Sequence, residues 1–133
     1  MRSPDTVSGP VSVALAQINA TVGDLAGNAR LIAEAARRAH AQGARVVLAP
    51  ELALTGYPPE DLLLRPAFMA ACDDQLQALA GELADCEGLH VVLGHPSVWG
   101  DAADLRSKSY SLPRRFNSAS VLSGGRVVGT YHK

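Results

Sequence analysis

Glu51 closes the apolar run Val46-Val47-Leu48-Ala49-Pro50 and opens the stretch PELALTGYPPEDLLLR. An unbroken apolar run of this kind reads as a strand buried on both faces. A carboxylate just past its end is carried on rigid scaffold and faces the sheet edge where α/β folds bind ligands. The chemistry open to it there is that of a general base. Pro50 fixes its own φ and makes the strand exit stiff, and Gly56 permits a turn that a side chain would hinder. Tyr57 precedes Pro58 and Pro59 and is biased to extended backbone. Its ring can wall a pocket and its hydroxyl hold a polar ligand; equally, it can pack with the hydroxyl satisfied. Glu60 and Asp61 read as the acidic first turn of a short helix rather than as catalytic groups. Lys133, closing Tyr131-His132-Lys133, brings an ammonium to the end of a strand. Taken singly, Glu51 is equally a solvated or salt-bridged carboxylate, and Lys133 a surface cation.

Other chemistries find no support. The two cysteines, Cys72 and Cys86, lack a C-x-x-C spacing and are expected to be reduced. Cys72 lies on a predicted helix as a small, half-buried apolar residue. Cys86 follows a helix end, whose negative pole disfavours a thiolate. The four histidines, His40, His90, His95 and His132, show no metal-ligand spacing. Neither G-x-x-x-x-G-K-[ST] nor G-x-G-x-x-G occurs, so no nucleotide site is expected in these residues. A net charge of −1 and a hydrophobic fraction of 47 % argue against disorder and against nucleic-acid binding. The pairs Arg37-Arg38 and Arg114-Arg115 read as solvated faces. No stretch is long enough to span a membrane, and the composition is that of a cytoplasmic enzyme or part of one.

The elements that must position Glu51 and Lys133 alternate along the chain. Residues 1–10 read as a loose tail, and residues 11–133 as one domain or part of one. Val11 to Gln17 is the first expected strand. Asp24 or Asn28 can cap a helix running to about Ala41, with Leu31, Ile32, Ala35, Ala36 and Ala39 on its apolar side, and Gly43 ends it. Arg45 to Ala49 is the second strand. A helix spans Pro66 to Leu83, with Leu76, Leu79 and Leu83 inward and Asp73, Asp74, Gln77 and Glu82 outward. His90 to Gly94 is the third strand. The polar segment from His95 to about Phe116 is long for a connection, and loops of that length tend to be functional or mobile. Ser118 to Leu122 and Arg126 to Tyr131 flank Ser123-Gly124-Gly125 and signal a hairpin. The order β-α-β-α-β-β-β predicts an α/β fold with helices on a mixed sheet.

Three stretches together resemble the nitrilase superfamily of carbon–nitrogen hydrolases: VSVALAQINATVGDLAGNARLI, VVLAPELALTGYPPEDLLLR and NSASVLSGGRVVGTYHK. AQINATVGDLAGN and TGYPPEDLLLRPAF are more narrowly similar to the glutaminase domains of bacterial glutamine-dependent NAD synthetases. The resemblance covers nearly the whole chain after the tail. It implies an αββα sandwich, of which these residues make about half, and a Glu-Lys-Cys triad. Glu51 matches the family's glutamate in the PEL…TGY motif and Lys133 its lysine in Y-x-K. The family's cysteine lies downstream of that lysine, and neither Cys72 nor Cys86 matches it, so the nucleophile is expected outside this chain.

The implied activity is hydrolysis of the glutamine side-chain amide, with Tyr57 as a substrate-binding residue. The ammonia would serve an ATP-dependent ligase that converts deamido-NAD to NAD. The resemblance also implies ATP and Mg²⁺ in a separate synthetase domain, with no cofactor or metal in this segment. The implied partners are glutamine, the remainder of the glutaminase domain and that synthetase domain, in a cytoplasmic homo-oligomer without nucleic acid or membrane. These residues alone are then expected to be inactive. Two alternatives remain open at this level: a free-standing amidase or nitrilase of the same superfamily, and a non-catalytic binding piece.

Overall fold

A computed structural model of the protein describes residues 9–98 and 114–133. Five strands form one sheet: β1 (Val13–Leu15), β2 (Val46–Leu48), β3 (His90–Val98), β4 (Arg115–Ser123) and β5 (Arg126–His132), in that spatial order. β1, β2 and β3 are parallel, and β4 and β5 add antiparallel neighbours. Two α-helices, α1 (Leu25–Ala41) and α2 (Pro66–Glu82), and a 3-10 helix (Glu60–Leu64) complete the order. The fold is α/β with a mixed sheet.

α1 begins where Asp24 accepts a hydrogen bond from the Gly27 N–H at 3.0 Å, a side-chain N-cap that satisfies an orphan amide. Asn28 is not the cap. It lies inside the helix, 1 % exposed, and its amide bridges Thr21 and the carbonyl of Leu54. α1 ends at Ala41, with Gln42 as its C-cap, two residues before Gly43, which takes φ +89°. α2 starts on Pro66, a residue suited to the first helical position because its missing N–H has no partner there anyway. The helices pack on each other and on one face of the sheet. Ile32, Ala36, Val47, Leu54, Leu76, Leu79, Leu93 and Leu122 meet there in one core. Arg37 is not merely a solvated charge. From α1 it reaches both carboxylate oxygens of Asp85, at 3.0 and 2.9 Å, and the Glu82 carbonyl at 2.7 Å, closing the end of α2. Cys72 is fully buried rather than half-buried, and burial, with Asp73 adding to it, pushes its thiol up to about 12.

Other expectations shift for physical reasons. β1 is shorter than Val11 to Gln17 because its partner β2 offers only three residues before Pro50, which has no N–H, turns the chain. The apolar run of β2 is buried on one face only. Val47 is fully covered, while Leu48 is 38 % exposed on the face that carries no helix. β3 continues four residues beyond Gly94, through His95, Pro96, Ser97 and Val98. Those residues pair with Ser118, Asn117, Phe116 and Arg115, so both ends of the expected polar loop belong to the sheet. The middle of that segment, 99–113, and most of the expected tail, 1–8, lie outside the described residues. No helix among the described residues is long and apolar enough to cross a membrane.

Candidate active site

β2 leaves the sheet through Pro50, Glu51 and Leu52. Leu52 is buried, yet its φ is +49°. A bulky residue in the left-handed region costs on the order of 1–3 kcal/mol and persists only where its surroundings enforce it. The enforcing contacts are visible. The Leu54 N–H reaches the carbonyl of Gly94 on β3, and the Thr55 carbonyl accepts from Gly23 at 2.8 Å. Gly94 has no side chain for a reason: a Cβ there would stand 2.4 Å from the Leu52 nitrogen and 2.9 Å from the Pro50 oxygen. Gly56, at φ +76°, would likewise drive a Cβ to 2.7 Å from the Val22 nitrogen. The turn carrying Glu51 is thus pressed onto β3 on one side and onto the 21–23 loop on the other.

The second half of the site comes from the hairpin. β5 runs antiparallel to β4 and ends with His132 opposite Ser118, and the next residue, Lys133, donates its N–H to the Asn117 carbonyl at 2.8 Å. The register places Ser118, Ser120 and Leu122 on the buried, helix-covered face, so the alternating Asn117 belongs to the open one. From there the Asn117 amide nitrogen donates to Glu51 Oε1. The Lys133 ammonium reaches the same Oε1 at 3.3 Å. Asn117 and Lys133 thereby share one oxygen of Glu51, a residue far from both in sequence. The hydrogen bond from Asn117, then that from Lys133 with its positive charge, holds the Glu51 carboxyl below its usual range, against a small opposing effect of burial. Glu51 and Lys133 side chains are 49 % and 75 % exposed, so the pair opens to the face without helices.

The three residues expected at the site fare differently. Glu51 and Lys133 come together. Tyr57 follows the turn but stands 67 % exposed, with no described partner for its hydroxyl. Glu60 and Asp61 open the 3-10 helix, as an acidic first turn should. Asn117 was assigned no role from sequence, although it begins the NSASVLSGG stretch; nothing in its type alone sets it apart from any polar strand residue. Gly94 was missed for the same reason. Both cysteines are buried, Cys72 on α2 and Cys86 in the core between helices and sheet, and no cluster of three metal-ligating side chains occurs among the described residues. A groove of about 450 Å³ lies between β1 and α1, but its walls, Leu15, Ile18, Leu31, Glu34 and Arg38 among them, include none of the three converging residues.

A carboxylate with an ammonium against one of its oxygens, at the carboxyl ends of the strands, can serve as a base beside a cationic stabiliser of negative charge. Comparison with known proteins places the chain in a family. The carbon-nitrogen hydrolase family model matches residues 12–133. A glutamine-dependent NAD(+) synthetase of Xylella fastidiosa is 44 % identical over 124 residues, covering 91 % of this chain and 20 % of that protein. The chain spans about one fifth of the length of the curated relatives it matches. The structure of glutamine-dependent NAD+ synthetase from Acinetobacter baumannii superposes with a TM-score of 0.71 at 32 % identity, covering 91 % of this chain and 20 % of that one. A Nesterenkonia amidase from the nitrilase superfamily gives 0.68 at 28 %, covering 92 % and 42 %. Another structure of that amidase carries acrylamide on its active-site cysteine.

Proposed function

Because this chain belongs to the carbon-nitrogen hydrolase family, we propose that Glu51 and Lys133 are the base and the oxyanion partner of a cysteine-dependent glutamine amidohydrolase. The ammonia it releases feeds ATP-dependent formation of NAD from deamido-NAD elsewhere in a longer protein. The single observation that carries the reading is the meeting of Glu51 and Lys133 on one carboxylate oxygen. The high identity to glutamine-dependent NAD(+) synthetases favours glutamine over the substrates of free-standing amidases.

The steps follow from what each group can do. Glu51 takes the proton of a thiol supplied from outside residues 1–133, since Cys72 and Cys86 are both buried away from it, Cys72 with a raised pKa. The thiolate attacks the carboxamide carbon of glutamine, and the carbonyl oxygen becomes an oxyanion beside the Lys133 ammonium. The C–N bond breaks, and the amide nitrogen leaves as ammonia with the proton returned by Glu51. Water, deprotonated by Glu51, then attacks the thioester, and the thiol and glutamate are released. Tyr57, exposed just after the turn that carries Glu51, binds the substrate through its ring and hydroxyl. ATP and Mg²⁺ belong to the synthetase part of the protein. The working protein is cytoplasmic and assembles as a homo-oligomer.

The test is a pair of substitutions in the full-length enzyme. Glu51→Gln keeps shape and removes the base; Lys133→Met removes the ammonium. Each is expected to lower glutamine-driven NAD formation by at least about 10²-fold, while formation from free ammonia continues. Equal loss of both rates would show a structural role, and an undiminished glutamine rate in Glu51→Gln would overturn the assignment.

A further inference from the structure

Asn117 touches Glu51 although the amide-hydrolysis reading gives it no task. We infer that Asn117 is a positioning residue that occupies Glu51 Oε1 through the reaction and so leaves Oε2 as the oxygen that takes the thiol proton. The inference rests on the reading proposed above, because it concerns the same base.

The geometry is specific. Asn117 Nδ2 and Lys133 Nζ both point to Oε1, and no described residue donates to Oε2. A carboxylate only accepts, so the side of the amide turned to Glu51 must be its NH₂. Asn117 also holds Lys133, through its backbone carbonyl and the Lys133 N–H at 2.8 Å. One residue therefore brackets both groups, one by its side chain and the other by its main chain. β4 fixes the bracket, because Asn117 pairs with Pro96 on β3, and Ser118 beside it with His132 on β5.

The choice of a neutral amide matters. When the Lys133 ammonium turns to a developing oxyanion, it loosens its hold on Oε1. The Asn117 N–H has no charge to divert and can stay. Once Oε2 is protonated, Oε1 is a carbonyl oxygen and still accepts the same hydrogen bond. The Asn117 contact thus fits both protonation states of Glu51 and persists while Lys133 serves the oxyanion. Loss of that donor also removes the first cause of the lowered Glu51 pKa, so the group would titrate at higher pH.

The experiment compares Asn117→Leu and Asn117→Asp in the full-length enzyme, following glutamine-driven and ammonia-driven NAD formation against pH. Asn117→Leu should lower glutamine-dependent kcat/KM by about tenfold to a hundredfold, the range expected when a reacting group is misplaced by up to about an ångström. Its acid limb, which reports free-enzyme groups, should move to higher pH. Asn117→Asp keeps the shape, removes the donor and sets a second carboxylate beside the first, so its limb should move further. The ammonia-driven rate should hold in both, which shows an intact synthetase site. An acid limb that stays in place in both variants, whatever the loss of rate, would reduce Asn117 to packing and overturn the inference. Glu51→Gln run alongside tests the parent reading: if it keeps the glutamine rate, that reading fails and this one with it; if it loses the rate while Asn117 variants behave as wild type, only this one fails.

Discussion

On the helix-covered face of the sheet, Val47, Val91, Leu93 and Leu122 are at most 1 % exposed. On the opposite face Leu15 is 69 % and Tyr131 73 % exposed, and Glu51, Asn117 and Lys133 meet at its edge. The same strands make both faces, separated only by the two-residue alternation of the side chains. Burial of apolar surface concentrates the stability on the first face. The second carries the candidate chemistry and an exposed apolar surface. The two are joined at Gly94, where the turn bearing Glu51 lies against β3.

Leu93 and Gly94 allow that contrast to be broken with neighbouring substitutions. Leu93 is fully buried among the helices, so Leu93→Ala should cost about 2–5 kcal/mol of stability, read by denaturant titration of the full-length enzyme. It should depress the glutamine- and ammonia-driven rates alike only as the fold is lost. Gly94→Ala, one residue on, should act on the other face. Its Cβ would meet the Leu52 nitrogen at 2.4 Å, and backbone cannot swing aside as a flexible side chain can. The turn must move, and Glu51 with it. The glutamine-driven rate should fall by about 10²-fold while the ammonia-driven rate stays. If Gly94→Ala instead leaves both rates intact and only lowers the melting temperature, the turn tolerates displacement and the two faces are less separate than their packing implies.

The sequence made one side of this contrast easier to read than the other. Apolar spacing marked α1 and α2, and Gly124-Gly125 marked the hairpin, because those signals are local. Glu51 and Lys133 were legible through motif and through their places at strand ends. Their convergence was not derivable from spacing, since it depends on the register of β5 on β4 and on the turn over Gly94. Asn117 stayed silent for that reason: only pairing with β3 brings it beside Glu51. The run His95-Pro96-Ser97 looked like loop because its residues are polar or lack an N–H. Its strand character comes from pairing with β4, a tertiary effect that overrides local preference. Asn28 misled in the opposite way. Its type suits a cap, but its amide serves Thr21 and Leu54 across the chain.

The smallest effect expected tests whether the helix-covered face stays dry where it turns polar. His95 is 4 % exposed there. Its Nδ1 faces the Pro96 carbonyl at 3.0 Å, which can only accept, so Nδ1 carries the hydrogen and Nε2 accepts from the Ser120 hydroxyl at 2.6 Å. Ser120 Oγ is then free to accept from Thr130 at 2.8 Å. This chain satisfies a neutral imidazole. Burial lowers the His95 pKa; the Pro96 contact and Asp73 oppose that, and His132 adds to it. The sign follows from linkage. A pKa lower in the folded than in the unfolded state means the unfolded chain binds the proton first. Stability from His95 is complete above the unfolded value, about 6.5, and is lost as pH falls from there through the folded value. His95→Gln removes the titration while keeping polar atoms. The wild type should therefore lose more stability than His95→Gln between about pH 7 and pH 5, a small divergence in melting temperature on top of what the carboxylates contribute to both. Parallel curves over that range would mean that water reaches His95 in the folded protein, and that the covered face is open at the very strands that carry Asn117 and Lys133.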